Sequence, residues 1–203
     1  MRTEIRVSGY GGQGVILAGY IIGKATAIFE QKHATLTQSF GPEARGSACS
    51  AQVICSDEPI HYPYIRMPNI LIAMSQEAYT KFEPELDPNG LLLIDEDLVK
   101  ARPPRDNIRM FAVPATRLAE QLGRRIVLNI VMLGFFTAVA GAVSKEAMEK
   151  AVLSSIPKGT EEINLKAFTT GYDYGVKLLA SLEQQAASSG AKARAKSKAK
   201  AEG

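Results

Sequence analysis

Ile5-Arg6-Val7-Ser8-Gly9-Tyr10-Gly11-Gly12-Gln13-Gly14 decides how the rest of the chain is read. An apolar run, Ile5 to Val7, enters a glycine-rich turn, and a helix-like stretch begins at Val15. That order is a strand, a turn and a helix N-terminus. Gly9, Gly11 and Gly14 keep G-x-G-x-x-G spacing, in which glycines permit positive φ, let a ligand reach the backbone and allow close helix–strand packing. The unpaired N–H groups of the first helical turn then attract an anion. The same spacing also turns strand into helix in doubly wound proteins that hold no nucleotide, so the motif alone leaves both readings open.

A dinucleotide site adds an Asp or Glu about 20 residues further on, at the end of the second strand. Glu30 has roughly that separation, but it precedes the alternating segment Ala34 to Phe40 and ends the first helix instead. Gln38, Ser39 and Phe40 occupy the strand's far end. The missing acid argues against NAD or FAD binding by this chain.

At 203 residues and 46% hydrophobic, the chain can bury one sizeable core, and a single domain is expected over residues 1–185. No stretch of 18 apolar residues exists and no secretory signal is visible, which predicts a cytoplasmic protein without a membrane span. The net charge of +3 is carried by residues 186–203, where Lys192, Arg194, Lys196, Lys198 and Lys200 face only Glu202. That low-complexity basic tail has no apolar periodicity and reads as disordered or only partly helical. The body has neither basic stripes nor aromatic platforms, so no nucleic-acid partner is expected.

Strand and helix signals alternate along the chain. A second strand, Ala34 to Phe40, leads through the loop Gly41-Pro42-Glu43-Ala44-Arg45-Gly46 into a third, Ser47 to Cys55, which suggests a hairpin-like insertion. Asn69 to Met74 and Leu91 to Asp95 are continuous apolar runs, as expected of strands buried on both faces of a parallel sheet. Ser75 and Gln76 follow the first run, where open α/β sheets place ligands, and Ser75 also suits the N-cap of a helix over Glu77 to Phe82. Ile108 to Val113 reads as an edge strand and Ala115 to Leu122 as a helix. Further helices are expected over about Ile126 to Ala140, Ser144 to Val152 and Leu165 to Gln185, the first too uniformly apolar to face water. The fold class is therefore α/β, in three layers, with a mostly parallel sheet.

No catalytic centre is legible. His33 and His61 lie in dissimilar settings, with no nucleophile elbow or Cys–His pairing. Cys49 and Cys55, six apart, cannot build a zinc site or an iron–sulfur cluster and read as buried thiols. Asp95-Glu96-Asp97 reads as a loop and helix cap, so no metal site is expected. A polar, glycine-rich rim without a reaction centre suits a subunit that completes an active site held elsewhere.

Five ordered motifs carry a resemblance over Ile5 to about Leu182. They are Gly9 to Val15 with Ala18-Gly19, Gln38 to Gly46, Ser56-Asp57-Glu58-Pro59-Ile60, Pro68 to Tyr79, and Asn129-Ile130-Val131-Met132-Leu133-Gly134. In these the chain resembles the gamma subunit, or gamma domain, of the 2-oxoacid:ferredoxin oxidoreductase family. Ser47 replaces a usual second glycine, and Asn69 stands where Asp is frequent. The resemblance implies a Rossmann-like domain, inactive alone, in a thiamine diphosphate-dependent enzyme that oxidatively decarboxylates a 2-oxoacid to an acyl-coenzyme A. It implies alpha, beta and ferredoxin-like partner subunits holding thiamine diphosphate, Mg2+ and [4Fe-4S] clusters. Electrons would pass to ferredoxin or, through an FAD-carrying subunit, to NAD. Coenzyme A would be a co-substrate enclosed partly by this chain, with no cofactor firmly bound to it alone. The contacts expected toward coenzyme A are Gly9, Gly11, Gly12, Gln13, Gly14, Arg45, Ser75, Gln76 and Asn129. The competing reading is a stand-alone Rossmann-type nucleotide-binding module.

Overall fold

The apolar runs of the sequence become the centre of a six-stranded sheet. The computed structural model describes residues 1–39, 48–105 and 107–201, with side chains up to residue 185. The strands are β1 (Arg2–Tyr10), β2 (His33–Ser39), β3 (Ala48–Ser56), β4 (Ile70–Ala73), β5 (Leu91–Asp95) and β6 (Arg109–Val113), in the spatial order β2-β3-β1-β4-β5-β6. β1, β4, β5 and β6 run parallel, while β3 is antiparallel to both β1 and β2. Every residue of β4 and β5 is buried, as two-sided coverage of parallel strands requires. The hairpin β2–β3 is the expected insertion, and its register sets Ala48 against Tyr10 and Cys49 against Gly9. Ser39 and Ala48, the last residue of β2 and the first of β3, lie at the same end of the sheet as the glycine turn.

Among the described residues six α-helices complete the layers: α1 (Val15–Lys24), α2 (Gln76–Phe82), α3 (Ala115–Gln121), α4 (Leu128–Ala140), α5 (Lys145–Leu153) and α6 (Glu161–Ala201). One face of the sheet carries a large core shared with α1, α3, α4, α5 and α6. The other face carries a smaller core beneath α2, built from Leu71, Ala73, Tyr79, Phe82, Leu92 and Ile94. This three-layer arrangement is the α/β class read from the sequence.

Several boundaries differ from expectation, each for a local reason. The first helix does not run as one α-helix to Phe29; after Lys24 it widens into a π-helical turn over Ala25–Phe29. Thr26 Oγ1, in that turn, donates to Ile22 O at 3.0 Å and lies 3.1 Å from Cys55 Sγ. The apolar helix opens with a 3-10 turn, Arg125–Val127, before α4 proper, and residues Leu128 to Thr137 are all buried. α6 starts at Glu161 rather than Leu165, because Asn164 Nδ2 donates to Thr160 O and Oγ1 and so closes the first turn early. Its backbone continues to Ala201, into the segment expected to be disordered or partly helical. α4 lies between the sheet and α6, and the two helices cross where Gly134 meets Phe168 and Gly171 meets Val131.

Candidate functional site at the glycine turn

The turn after β1 is held from within by one side chain. Gln13 Oε1 accepts from Tyr10 N at 2.6 Å, and Gln13 Nε2 donates to Met74 O at 2.8 Å, which staples the turn to the end of β4. Gly9 is buried under this staple. Gly12 and Gly14 have φ of 93° and 73°, left-handed values that glycine adopts without steric cost. Gly14 is the N-cap of α1 and supplies no side-chain cap, and the first turn of α1 holds no acidic residue. Those first-turn N–H groups stand at the positive end of the helix dipole. Gly11 and Gly12 are exposed, with nothing within 4 Å of where a β-carbon would lie.

Asn129, in the first turn of α4, joins this turn from the other side. Its side chain is buried, and Nδ2 donates to Gly14 O at 3.3 Å. Ser75 is fully buried, and its Oγ accepts from Ala78 N at 3.2 Å as the N-cap of α2. Gln76 is exposed; its Oε1 accepts from Lys100 N at 2.7 Å and ties the loop after β5 to α2. The structure thus gathers Gly9, Gly11, Gly12, Gln13, Gly14 and Asn129 around the start of α1, with Ser75 and Gln76 beyond the next strand. The side-chain bonds of Gln13, Ser75 and Gln76 are internal ones. Arg45 lies outside the described residues. The strand residue after its loop, Ala48, donates its N–H to Glu77 Oε1 at 3.3 Å.

Beside Gly12 and Gly14 opens a mainly apolar pocket of about 350 Å³, with Leu17, Ile130, Ile156 and Ile163 among its walls. Arg124, Ile126, Thr160 and Asn164 also line it, and Ile126 is 74% exposed at the margin. The sequence reading missed these residues. They come from three stretches far apart in the chain, and the one local signal was an isoleucine on each side of Pro157-Lys158-Gly159.

Several other titratable groups are spent on structure. Asp95 is fully buried; its Oδ2 accepts from Thr116 N and from Thr116 Oγ1 at 2.6 Å, and its Oδ1 accepts from Asp97 N. Burial pushes the Asp95 carboxyl up, against the Thr116 hydroxyl that pulls it down. Asp97 and Glu96 pair with Arg117 at the surface. Cys49 and Cys55 are buried free thiols, both pushed up by desolvation. His33 and His61 are exposed. Among the described residues no group of three or more His, Cys, Asp or Glu could hold a metal ion. No helix among them is long and apolar enough to cross a membrane.

A mostly parallel sheet, a glycine turn at the carboxyl end of β1 and an α1 without a side-chain cap define a Rossmann-like α/β domain. Residues 4–174 match the family described as pyruvate ferredoxin/flavodoxin oxidoreductase. The chain is 51% identical over 180 residues to 2-oxoglutarate synthase subunit KorC of Methanocaldococcus jannaschii, covering 88% of this chain and 96% of that protein. It is 31% identical over 174 residues to pyruvate synthase subunit PorC of Methanothermobacter marburgensis, covering 84% and 96%. The gamma subunit of a keto/oxoacid ferredoxin oxidoreductase from Geobacter sulfurreducens superposes with a TM-score of 0.77 at 44% identity, covering 86% of this chain and 99% of that one. The chain belongs to the pyruvate ferredoxin/flavodoxin oxidoreductase family, as a gamma-type subunit of a 2-oxoacid oxidoreductase.

Proposed function

We propose that this subunit works in a complex that oxidises 2-oxoglutarate to its coenzyme A thioester, and that its glycine edge helps enclose coenzyme A. The choice of 2-oxoacid is carried by one observation: identity to a 2-oxoglutarate synthase subunit is 51%, against 31% to a pyruvate synthase subunit. The role toward coenzyme A is supported by the exposed Gly11-Gly12 edge in front of an uncapped helix, a preformed anion site. Arg45, three residues before Ala48 in sequence, is the chain's candidate for a guanidinium suited to bidentate phosphate contact.

The other cofactors belong to partner subunits on this reading. A [4Fe-4S] cluster needs four thiolates and this chain has two cysteines, both buried on β3. Thiamine diphosphate with its Mg2+ is placed on the partners by the same reading. Thiamine chemistry, cluster reduction and delivery of electrons to ferredoxin, or through a flavin to NAD, are therefore assigned to those partners. This chain's part is to position the acyl acceptor and to exclude water from the closed site.

The test is anaerobic isolation of the complex through this chain, followed by viologen reduction with a panel of 2-oxoacids, with and without coenzyme A. Coenzyme A-dependent activity that is highest with 2-oxoglutarate is the expected result. Preference for pyruvate or a branched-chain 2-oxoacid overturns the substrate assignment. An intact lone chain that binds NAD or FAD makes it a nucleotide-binding module instead. Arg45→Ala should raise the Michaelis constant for coenzyme A about tenfold, the worth of one charge-assisted phosphate contact; an unchanged constant in an assembled complex removes Arg45 from the site.

A further inference from the structure

The sheet edge formed by β2 carries none of the devices that keep strand edges apart. β2 stands at the end of the strand order and pairs with β3 alone among the described residues. Its seven residues, His33 to Ser39, match β3 one to one, so no bulge twists the edge away. It also holds no Lys, Arg, Asp, Glu, Pro or Gly. Natural edges are blunted by charged residues, prolines or bulges, or are kept short, because alternate residues turn unpaired N–H and C=O groups outward. The opposite edge, β6, is five residues long and carries Arg109. A row of free backbone donors and acceptors specifies its own ligand, another extended strand.

The strand that fits is β2 itself. Ala34-Thr35-Leu36-Thr37-Gln38 is nearly symmetric about Leu36. An antiparallel copy centred there sets Leu36 against itself and, on each side of the axis, Thr35 against the second copy's Thr37. Threonine pairs facing each other across strands are favourable, and in an uncharged strand no charge meets its like. Thr35 Oγ1 is buried and lacks a hydrogen-bond partner within one chain, and a threonine hydroxyl directly across the axis supplies one. The flank beside the strand is apolar as well. Tyr20, 48% exposed, and Ile28, 64% exposed, stand with Ala34 and Leu36 around an open hollow of about 260 Å³. The cation in that hollow, Lys24, spends its ammonium on Ser154 O and Ser155 Oγ, so covering the hollow strands no free charge.

We propose that β2 is a self-association surface, at which two copies of this chain join edge to edge and antiparallel about Leu36, merging two six-stranded sheets into one. Tyr20 and Ile28 of both copies close over the junction. No residue of the glycine turn takes part, so the interface links two copies of the complex and leaves the glycine edge of each open to its own partners.

Light scattering on the full chain after size-exclusion chromatography should give twice its 21.9 kDa. Hydrogen exchange of the β2 amides should slow as the chain is concentrated, a readout that needs no variant. Thr35→Lys with Thr37→Lys sets like charges opposite each other at two places and should halve the mass, with the circular dichroism spectrum unchanged. Thr35→Lys with Thr37→Glu carries as many changes but pairs opposite charges across the axis, and should keep the dimer. A monomeric wild-type chain overturns the proposal. If residues 33–39 of such a monomer are protected from exchange only in the assembled complex, the edge belongs to a strand of another subunit. A dimer that survives the double lysine variant lies elsewhere on the surface, and one lost in both variants is not registered on Leu36; either result overturns the pairing.

Discussion

Gly134 of α4 and Gly171 of α6 bring two helix backbones into direct contact. A β-carbon on Gly134 would come well inside 3.0 Å of the Phe168 carbonyl oxygen, and one on Gly171 well inside 3.0 Å of the Val131 carbonyl oxygen. Each helix thus sets how close the other can lie, and Phe135, Phe136 and Phe168 are fully buried around the crossing. Either glycine changed to alanine has to push the helices apart. The expected cost is about 3 kcal/mol, the upper end for overpacking a close-packed core. Chemical denaturation of Gly134→Ala and Gly171→Ala reads it, and a loss below about 1 kcal/mol would show that the crossing relaxes freely.

The glycines of the turn should separate into a structural one and a tolerant one. At Gly14, φ is 73° and a β-carbon would collide with the Asn129 side-chain amide, including its carbon at 2.8 Å. Gly14→Ala should therefore lose the bond from Asn129 and destabilise the chain by about 2 kcal/mol, through strain and displacement together. Gly11 has neither a positive φ nor any atom within 4 Å of its would-be β-carbon. Gly11→Ala should leave the melting temperature of the chain within experimental error. Equal losses at the two positions would contradict the geometry.

Acid stability should depend on Glu30. Burial pushes this carboxyl up, but the Ser144 N–H at 2.7 Å, the Lys32 ammonium and the Ser144 side chain together hold it below its ordinary 4.5. A depressed carboxylate stabilises the fold above its unfolded pKa, and that contribution disappears as pH falls through the lower folded value. Glu30→Gln keeps an acceptor for Ser144 but loses the charge. It should cost about 1 kcal/mol at pH 7 and flatten the fall in stability below pH 4.5. Urea titrations at pH 7 and pH 3.5 compare the two proteins, and parallel curves would show that Glu30 is not the group responsible.

Both thiols should be silent in the native chain. Cys49 and Cys55 are buried, and desolvation raises both above the ordinary thiol value, so little thiolate is present near neutrality. A colorimetric disulfide reagent at pH 8 should titrate almost nothing before denaturant is added and two equivalents afterwards. Fast reaction of one equivalent in the folded chain would place a cysteine at an open surface.

What the sequence made legible is whatever it encodes locally. Continuous apolar runs marked β4 and β5, because burial on both faces leaves no polar alternation. Ser75 and Ser144 were readable as caps, and both hydroxyls do accept from the N–H three residues on. The glycine turn was readable as a turn, but the work of Gln13 was not, because its partner Met74 O is 61 residues away. The π-helical turn at Ala25–Phe29 has no compositional signature, and its Thr26 meets the Cys55 sulfur on β3, far along the chain. The pocket was hidden for the same reason as Gln13. Gly14, Asn129 and Asn164 converge only after α4 and α6 have packed, and no periodicity within one segment reports that.

The placement of α4 also governs the order in which the molecule can be made. A nascent chain leaving the ribosome completes β1 to β6 and then α4, whose residues Leu128 to Thr137 are all buried in the finished protein. Its cover, α6, begins only at Glu161, after every other described element. A ribosome that stalls before that point releases a chain with an aliphatic and aromatic helix open to solvent, which chaperones and proteases recognise. On that side α4 is shielded only once the residues from Glu161 onward have packed against it.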